Sequence, residues 1–313
     1  MNAKSEAEAL IVERMNALEP ALRPFPGGWA EHAHRHFIWI VTPSGYAHSR
    51  TFEEAAQALQ GAFADLGGSA PVVTDPSAVK GRLPIIYGAN LLPANVVGRL
   101  PPGSIVMNLE QVSGDGDWFK DDYVEILKTY PVLDYSPRNL VNLRQRGIGH
   151  AELLEVGYHE SLHRIKPAKV KDIDVLFYGS MNERREKALA AMRAVGLNVV
   201  HLFGVYGAER DAAIARAKIV LNMHYYQSAI FELIRVSYLL ANSVCVLTEG
   251  SPDDPELAPY ARGLAVEPYE RLAARAVELV KNDGERMMLS VRGWDAMRRR
   301  PLAPMLKNLM DSQ

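Results

Sequence analysis

The sequence predicts an α/β protein built from two Rossmann-like doubly wound domains. Short apolar strands alternate with helical segments along most of the 313 residues. The strands are apolar throughout, which is typical of a parallel sheet that is covered on both faces. A polar stretch at 164–171 interrupts the alternation, which then starts again. We therefore predict an N-terminal domain of residues 1–168 and a C-terminal domain of residues 169–313.

The elements of the N-terminal half begin with an amphipathic helix at 5–20, where apolar residues recur near helical spacing. The first strong strand is the run 36–41. The helix after it, at 51–66, ends at Gly67-Gly68, a pair suited to a helix C-cap. Further strands are predicted at 72–74, 85–87, 104–107, 132–135 and 153–156, and further helices at 123–129 and 137–146.

The C-terminal half repeats this pattern from residue 174. Strands are predicted at 174–178, 198–202, 219–223, 244–248 and 264–266, and helices at 184–195, 208–217, 230–241 and 269–282. We expect the final segment, 294–310, to pack back across the domains.

Composition and charge narrow the possible functions. Hydrophobic residues make up 48% of the chain and charged residues 23%, the balance of a folded globular protein. With 35 basic and 37 acidic side chains the net charge is −2, which argues against nucleic acid as the main partner. Cys245 stands in an apolar run and is predicted to be a buried, inert thiol. We find no signal peptide and no transmembrane segment, and expect a cytoplasmic protein.

The first candidate site is the turn after the strand at 174–178. The strand ends at Gly179-Ser180, and the next helix carries Arg184 and Arg185 in its first turn. Glycine permits a close approach of the backbone, and the free amides of a helix start favour an anion. Two arginines there are suited to bidentate contacts with a diphosphate. An ordinary strand-to-helix turn with solvated arginines would have the same sequence.

The second candidate site follows the strand at 219–223. His224 comes directly after that strand, and Phe231 and Glu232 open an apolar helix in which Glu232 and Arg235 are the charged residues. In one interpretation Arg235 neutralises Glu232 within the protein. In the other, Glu232 accepts hydrogen bonds from a ribose diol while free amides hold phosphate. Ligands of open α/β sheets bind at the carboxyl ends of the strands, where both candidate sites lie.

With these motifs, residues 174–249 resemble the nucleotide-sugar domain of GT-B glycosyltransferases, especially the CgeB-like branch related to group 1 glycosyltransferases. The matching features are the Gly-Ser turn with its two arginines, the segment 211–222, and Phe231-Glu232 leading to 244–249. The resemblance implies transfer of a sugar from a nucleotide-diphosphate-sugar to a small-molecule or glycan acceptor, with no other cofactor. It places these residues on the donor: Gly179, Ser180, Arg184, Arg185, His224, Phe231, Glu232 and Arg235.

The chain departs from the family at one position. Many retaining members carry two glutamates with seven residues between them, and Glu232 matches the second, which the family uses on the nucleotide ribose. His224 stands where the first would be. The resemblance therefore keeps the ribose contact but leaves open how the donor sugar is held and whether the anomeric configuration is retained. His224 either contacts a sugar hydroxyl or a phosphate, or caps the strand end.

The resemblance also implies that the N-terminal domain binds the acceptor. The loop after the first strand contains His48, whose ordinary pKa near ~6.5 suits a base at neutral pH. A merely solvent-exposed histidine is the alternative. Glu110 and Asp134 end strands and are expected either to contact acceptor hydroxyls or to cap the helices that follow. We predict His48 and Glu110 as the catalytic candidates.

No metal site is predicted. Asp115-Gly116-Asp117 is similar to a metal-binding DxD motif, but it lies in a Gly/Asp-rich loop and is predicted to be a turn, as is Asp253-Asp254 between two prolines. Helix-start amides and arginines can neutralise a leaving diphosphate without a metal. Two alternative functions remain open at this point: a nucleotide-sugar epimerase on the same scaffold, and a non-catalytic bilobed protein that binds a nucleotide or a sugar.

Overall fold

The computed structural model describes residues 22–112, 119–225 and 231–312, and it contains two parallel sheets. Its described residues divide into two compact units. The first unit comprises the described parts of Met1–Phe52, Ala62–Glu155 and Ala303–Gln313, and the second comprises those of Glu53–Gly61 and Val156–Leu302. Each unit holds one sheet, which confirms the predicted fold class. The boundary between residues 168 and 169 stays a prediction.

The first unit has a six-stranded parallel sheet in the order β2-β1-β3-β4-β5-β6. Its strands are β1 His36–Ile40, β2 Val72–Val73, β3 Leu83–Tyr87, β4 Ile105–Asn108, β5 Val132–Asp134 and β6 Glu152–Leu153. The described α-helices of the N-terminal half of the sequence are α1 Trp29–His32, α2 Glu53–Asp65, α3 Asp121–Thr129 and α4 Pro137–Gln145. The predicted helix at 5–20 and the predicted turn at 115–117 lie outside the described residues.

The second unit has a five-stranded parallel sheet in the order β11-β10-β9-β7-β8. Its strands are β7 Ile173–Tyr178, β8 Val199–Leu202, β9 Ala217–Asn222, β10 Val246–Glu249 and β11 Leu264–Glu267. Its helices are α5 Glu183–Ala194, α6 Gly207–Arg216, α7 Leu233–Ala241, α8 Leu272–Lys281 and α9 Asp283–Arg298. The last helix, α10, is Leu302–Asp311.

The apolar strands form the core of each unit, as sheets covered on both faces require. In the second unit Val175, Phe177, Ile219 and Leu221 are fully buried. Cys245 is buried beside them, and burial raises its pKa to about 12. Across the three described stretches, none of the helices is long and apolar enough to cross a bilayer.

The C-terminal segment 294–310 contains the end of α9 and most of α10. Its expected packing across the domains stays a prediction. Pro301 separates the two helices, since proline lacks the N–H that a continuing helix needs. Pro301 also forms a parallel bridge with Tyr158.

Candidate functional site

The candidate site of the second unit lies where its strand order reverses. From β7 the chain continues to β8 on one side, and it then returns to β9 on the other side of β7. The carboxyl ends of β7 and β9 are therefore neighbours at a topological switch point, the position at which open α/β sheets bind ligands. Gly179 comes directly after β7 there, and Met223 and His224 are the first two residues after β9.

A glycine is required at position 179 because the side chain of Arg235 lies close to the backbone there. The φ of Gly179 is +140°, a conformation that residues with a side chain rarely adopt. A Cβ atom at this position would lie 3.1 Å from Arg235 Nη2. The glycine predicted from the sequence thus makes room for a guanidinium at the end of β7.

Arg185 is directed into the protein and is 3% exposed. Its guanidinium donates to three backbone carbonyls: Ser180 at 2.9 Å, His224 at 3.3 Å, and Met223. Burial, followed by the charge of Arg235, lowers the pKa of Arg185 to about 10. Arg185 therefore joins the turn after β7 to the end of β9.

Arg184 pairs with Glu249, the last residue of β10. Both of its terminal nitrogens donate to the carboxylate, the Nη1–Oε2 distance being 2.8 Å. Nη1 also lies 3.3 Å from the carbonyl oxygen of His224, and the guanidinium carbon lies 4.0 Å from the centre of the Tyr269 ring. The hydrogen bonds to Glu249 raise the pKa of Arg184. The motifs quoted from the sequence contained Glu249 but gave it no role.

Glu232 is surrounded by donors and cations. Asn222 Nδ2 donates to its Oε2 at 2.9 Å, His224 Nδ1 lies 3.1 Å from the same oxygen, and Arg185 Nη2 lies 3.9 Å from Oε1. Burial alone would raise the pKa of Glu232, but His224, Arg235 and Asn222 together lower it to about 2. The carboxylate is therefore ionised at neutral pH.

His224 forms an ion pair with Glu232, although its Nδ1 lies off the geometry of a straight hydrogen bond. Burial lowers the pKa of His224, and the contact with Glu232 outweighs it, so that the pKa is raised above 6.5. The histidine that replaces the family's first glutamate is thus paired with the second, which favours its protonated form. Asn222, which sequence reasoning missed, is a polar residue at the end of an otherwise apolar strand.

Arg235 does not neutralise Glu232 by direct contact. Its Nη1 donates to Asn222 Oδ1 at 3.0 Å, and its guanidinium carbon lies 5.3 Å from the Tyr178 ring centre. Glu232 is the N-cap residue of α7, with φ −74° and ψ 60°, so the two side chains do not share a helical face. Within the described stretches, no carboxylate lies at ion-pair distance from Arg235.

The site carries a surplus of positive charge. Three arginines at 184, 185 and 235 exceed the two carboxylates at 232 and 249 by one charge. The raised pKa of His224 favours further positive charge beside them. A cationic group at the carboxyl edge of a parallel sheet is suited to an anionic ligand. Phe231 is 1% exposed and packs inside the protein, so its donor contact stays a prediction.

In the first unit, hydrogen bonds hold both the backbone N–H and the backbone carbonyl of Glu110. Asn108 Oδ1 accepts from the Glu110 N–H at 3.1 Å, and Asn108 Nδ2 donates to the Glu110 carbonyl at 3.1 Å. Asn139 Nδ2 donates to the same carbonyl at 2.9 Å. Burial raises the pKa of the Glu110 carboxyl to about 6, although Asn90 donates to it at 3.1 Å.

Asp134 does not face an acceptor. It is fully buried, and it accepts from Asn108 at 2.6 Å and from the backbone N–H of Ser136 at 2.8 Å. The structure thus corrects the expectation of an acceptor contact, and the alternative, a cap of the following helix, is not met either, because Ser136 is the N-cap of α4. His48 is half-buried, with its ring centre 5.3 Å from that of Tyr46.

Comparisons with known proteins give few sequence relatives. No family model matches the chain. Uncharacterized protein L140 of Acanthamoeba polyphaga mimivirus is 25% identical over 189 residues, which is 57% of this chain and 59% of that protein. Protein L138 of the same virus is 29% identical over 125 residues, which is 39% of this chain and 14% of that protein. The chain thus spans less than two thirds of the length of either relative.

Solved structures give a likeness over most of the chain. HepE of Anabaena, solved in complex with UDP and glucose, has a TM-score of 0.61 at 11% identity, covering 89% of this chain and 99% of HepE. Sucrose-phosphate synthase of Thermosynechococcus elongatus has a TM-score of 0.58 at 12% identity, with coverages of 89% and 98%. WaaG, a glycosyltransferase involved in lipopolysaccharide biosynthesis, has a TM-score of 0.53 at 12% identity, with coverages of 88% and 98%. The two parallel-sheet α/β domains of this chain therefore have the fold of the GT-B glycosyltransferases.

Proposed function

We propose that the chain is a glycosyltransferase that moves a sugar from a nucleotide-diphosphate-sugar to a hydroxyl acceptor without a metal ion. The observation that carries this proposal is the group of cations around Glu232 at the switch point between β7 and β9. The fold supports it, because HepE, which has the same fold, was solved with UDP and glucose. The CgeB-like branch, a cytoplasmic location and the domain boundary at 168/169 are parts of the same proposal.

The donor diphosphate binds at the cationic group in this proposal. Arg235 contacts the phosphates first, because among described residues it has no carboxylate partner. Arg184 adds a second contact by exchanging part of its bond to Glu249 for the ligand. Arg185 keeps its bonds to backbone carbonyls and positions the turn at Gly179-Ser180.

Glu232 binds the ribose in this proposal. Its Oε2 already accepts from Asn222, whereas Oε1 accepts no hydrogen bond from the described part of the chain. An ionised carboxylate with one open oxygen is a strong acceptor for a ribose hydroxyl. His224 remains beside it and faces the donor.

In this proposal the first unit binds the acceptor. Glu110 takes the proton from the acceptor hydroxyl. The hydroxyl oxygen forms a bond to the anomeric carbon while the bond from that carbon to the diphosphate breaks. A carboxyl with a pKa of about 6 is close to the range of a general base at neutral pH. His48 is the second candidate for this base. The charge that develops on the leaving diphosphate is stabilised by Arg235 and Arg184.

Release of nucleoside diphosphate tests this proposal. UDP-glucose, GDP-mannose and TDP-glucose are each incubated with the protein, with and without EDTA, against water and simple glycosides as acceptors. We expect release from at least one donor, undiminished by EDTA, and a loss of about a hundredfold or more in Glu110→Gln. Glu125→Gln, an exposed glutamate on α3, is the matched control and keeps full activity. Nucleotide binding with no release from any donor would favour the non-catalytic binding protein, for which the paired His224 is the supporting observation.

A further inference from the structure

Three large apolar side chains stand exposed on one face of α9. Met287, Met288 and Val291 are 69%, 41% and 58% exposed. They account for three of the seven exposed large hydrophobic side chains in the described stretches, all within five residues. Surface apolar residues are ordinarily scattered singly, whereas these three are grouped on one helix.

These side chains point away from the protein because of helical periodicity. Leu289, Gly293 and Met297, spaced four residues apart, are the buried residues of α9. At about 100° per residue, Met287 and Val291 lie on the opposite side of the helix axis. The outer face is therefore the side that packing against the second unit leaves uncovered.

Positive charge lies beside the apolar group. Arg292 and Arg298 are exposed, and the described residues offer them no ion pair. The guanidinium carbon of Arg298 lies 4.5 Å from the Trp294 ring centre. The acidic residues of α9 are each paired: Asp283 with Arg286, Glu285 with Arg275, and Asp295 with Arg299.

We propose that this outer face of α9, defined by Met287, Met288, Val291, Arg292 and Arg298, binds an anionic membrane surface. The helix lies in the plane of the headgroups, with the two methionines and the valine inserted between them. The arginines contact lipid phosphates, because their long side chains reach the headgroup level from a helix at that depth. The proposal does not depend on the proposed glycosyl transfer.

The charge pattern favours lipid over a protein partner. On this 16-residue helix Arg298 lies on the same side as Met287 and Val291, and Arg292 lies beside Met288 toward one flank. A broad anionic surface can receive both apolar and cationic side chains at once, whereas a protein would have to match them with separate apolar and acidic patches. Three side chains make a small anchor, so the binding is reversible and weakens with salt.

Co-sedimentation of the full chain with vesicles tests the proposal. We expect binding to vesicles that contain phosphatidylglycerol, about tenfold weaker binding to pure phosphatidylcholine, and loss of binding at high salt. Met287→Ser combined with Val291→Ser should reduce the partition coefficient about tenfold. Val195→Ser, at an exposed valine outside α9, is the matched control and should bind like the wild type.

Arg292→Gln combined with Arg298→Gln tests the charges, with Lys187→Gln on α5 as its control. We expect the double variant to bind both kinds of vesicle equally weakly. Circular dichroism and thermal melting verify that each variant is folded. Equal binding of the wild type to both vesicles, or no binding to either, would overturn the proposal. So would a wild-type dimer in sedimentation velocity that Met287→Ser and Val291→Ser convert to a monomer, because the face would then join two copies of the chain.

Discussion

Replacing Glu232 by glutamine should reverse the direction of the His224 pKa shift. In the wild type, His224 is 9% exposed, and burial is the largest influence on its pKa. The carboxylate 3.1 Å from Nδ1 outweighs burial and raises the pKa above 6.5. In Glu232→Gln, burial and the charge of Arg184 lower the pKa, and Glu249 alone opposes them. We expect a pKa below 6.5 in the variant.

The strength of the interactions around this ion pair follows from the pKa of Glu232. The pKa of Glu232 lies at about 2 instead of 4.5, although burial acts in the opposite direction. A difference of about 2.5 pH units corresponds to about 3.4 kcal/mol. His224 is the largest of the groups that lower it, ahead of Arg235 and Asn222. Because coupling is reciprocal, removing the charge of Glu232 should lower the pKa of His224.

NMR titration of histidine ring carbons between pH 4 and 9 measures this shift, since the chain has nine histidines and His224→Asn identifies the relevant signal. Glu249→Gln is the control. Glu249 contacts the backbone N–H of His224 at 3.2 Å and ranks below Glu232 in its effect on the ring, so the shift should be smaller. An unchanged His224 pKa in Glu232→Gln would refute the ion pair and the reasoning built on it.

Three further predictions concern stability and reactivity. Between pH 6.5 and pH 5 the free energy of unfolding of the wild type should fall by about 2 kcal/mol more than that of His36→Phe, because burial beside His32 holds the pKa of His36 at about 3 and the unfolded chain therefore binds the proton first. Urea titrations measure it, and an equally steep fall in His36→Phe would contradict it. Gly179→Ala should cost about 1–3 kcal/mol more than Gly196→Ala, where φ is +86° but nothing lies within 4 Å of the added Cβ; equal costs would argue against the close approach of Arg235. Cys245 should resist a thiol reagent in the native state, because burial raises its pKa to about 12, and rapid labelling without denaturant would disprove its burial.

The fold could be predicted because apolar strands carry a local signal. The strand predicted at 174–178 is Ile173–Tyr178 in the structure, and that predicted at 219–223 is Ala217–Asn222. The helix α9 was missed although Asn282 caps it by accepting from the N–H of Glu285. Asn282 is the only residue between α8 and α9. With so short a connection, the sequence pattern does not distinguish the first turn of α9 from the end of α8.

The side-chain partners of the site could not be predicted in the same way. Arg184 and Arg185 are adjacent in sequence, yet Arg185 is buried against three carbonyls and Arg184 pairs with a carboxylate 65 residues away. Asn139 supports Glu110 across 29 residues of sequence. The strand order decides which strand ends become neighbours, and a single sequence does not encode that order in its local pattern.

Isothermal titration calorimetry of UDP, GDP and TDP into the wild type and Arg235→Met tests the central claim most directly. That claim is that a nucleoside diphosphate binds at the switch point between β7 and β9 with its phosphates on Arg235. We expect one of the three to bind the wild type and to lose about tenfold to a hundredfold in affinity in Arg235→Met, the loss of one charged hydrogen bond, while the matching nucleoside monophosphate loses less. Equal affinity of that diphosphate for the two proteins would contradict the claim.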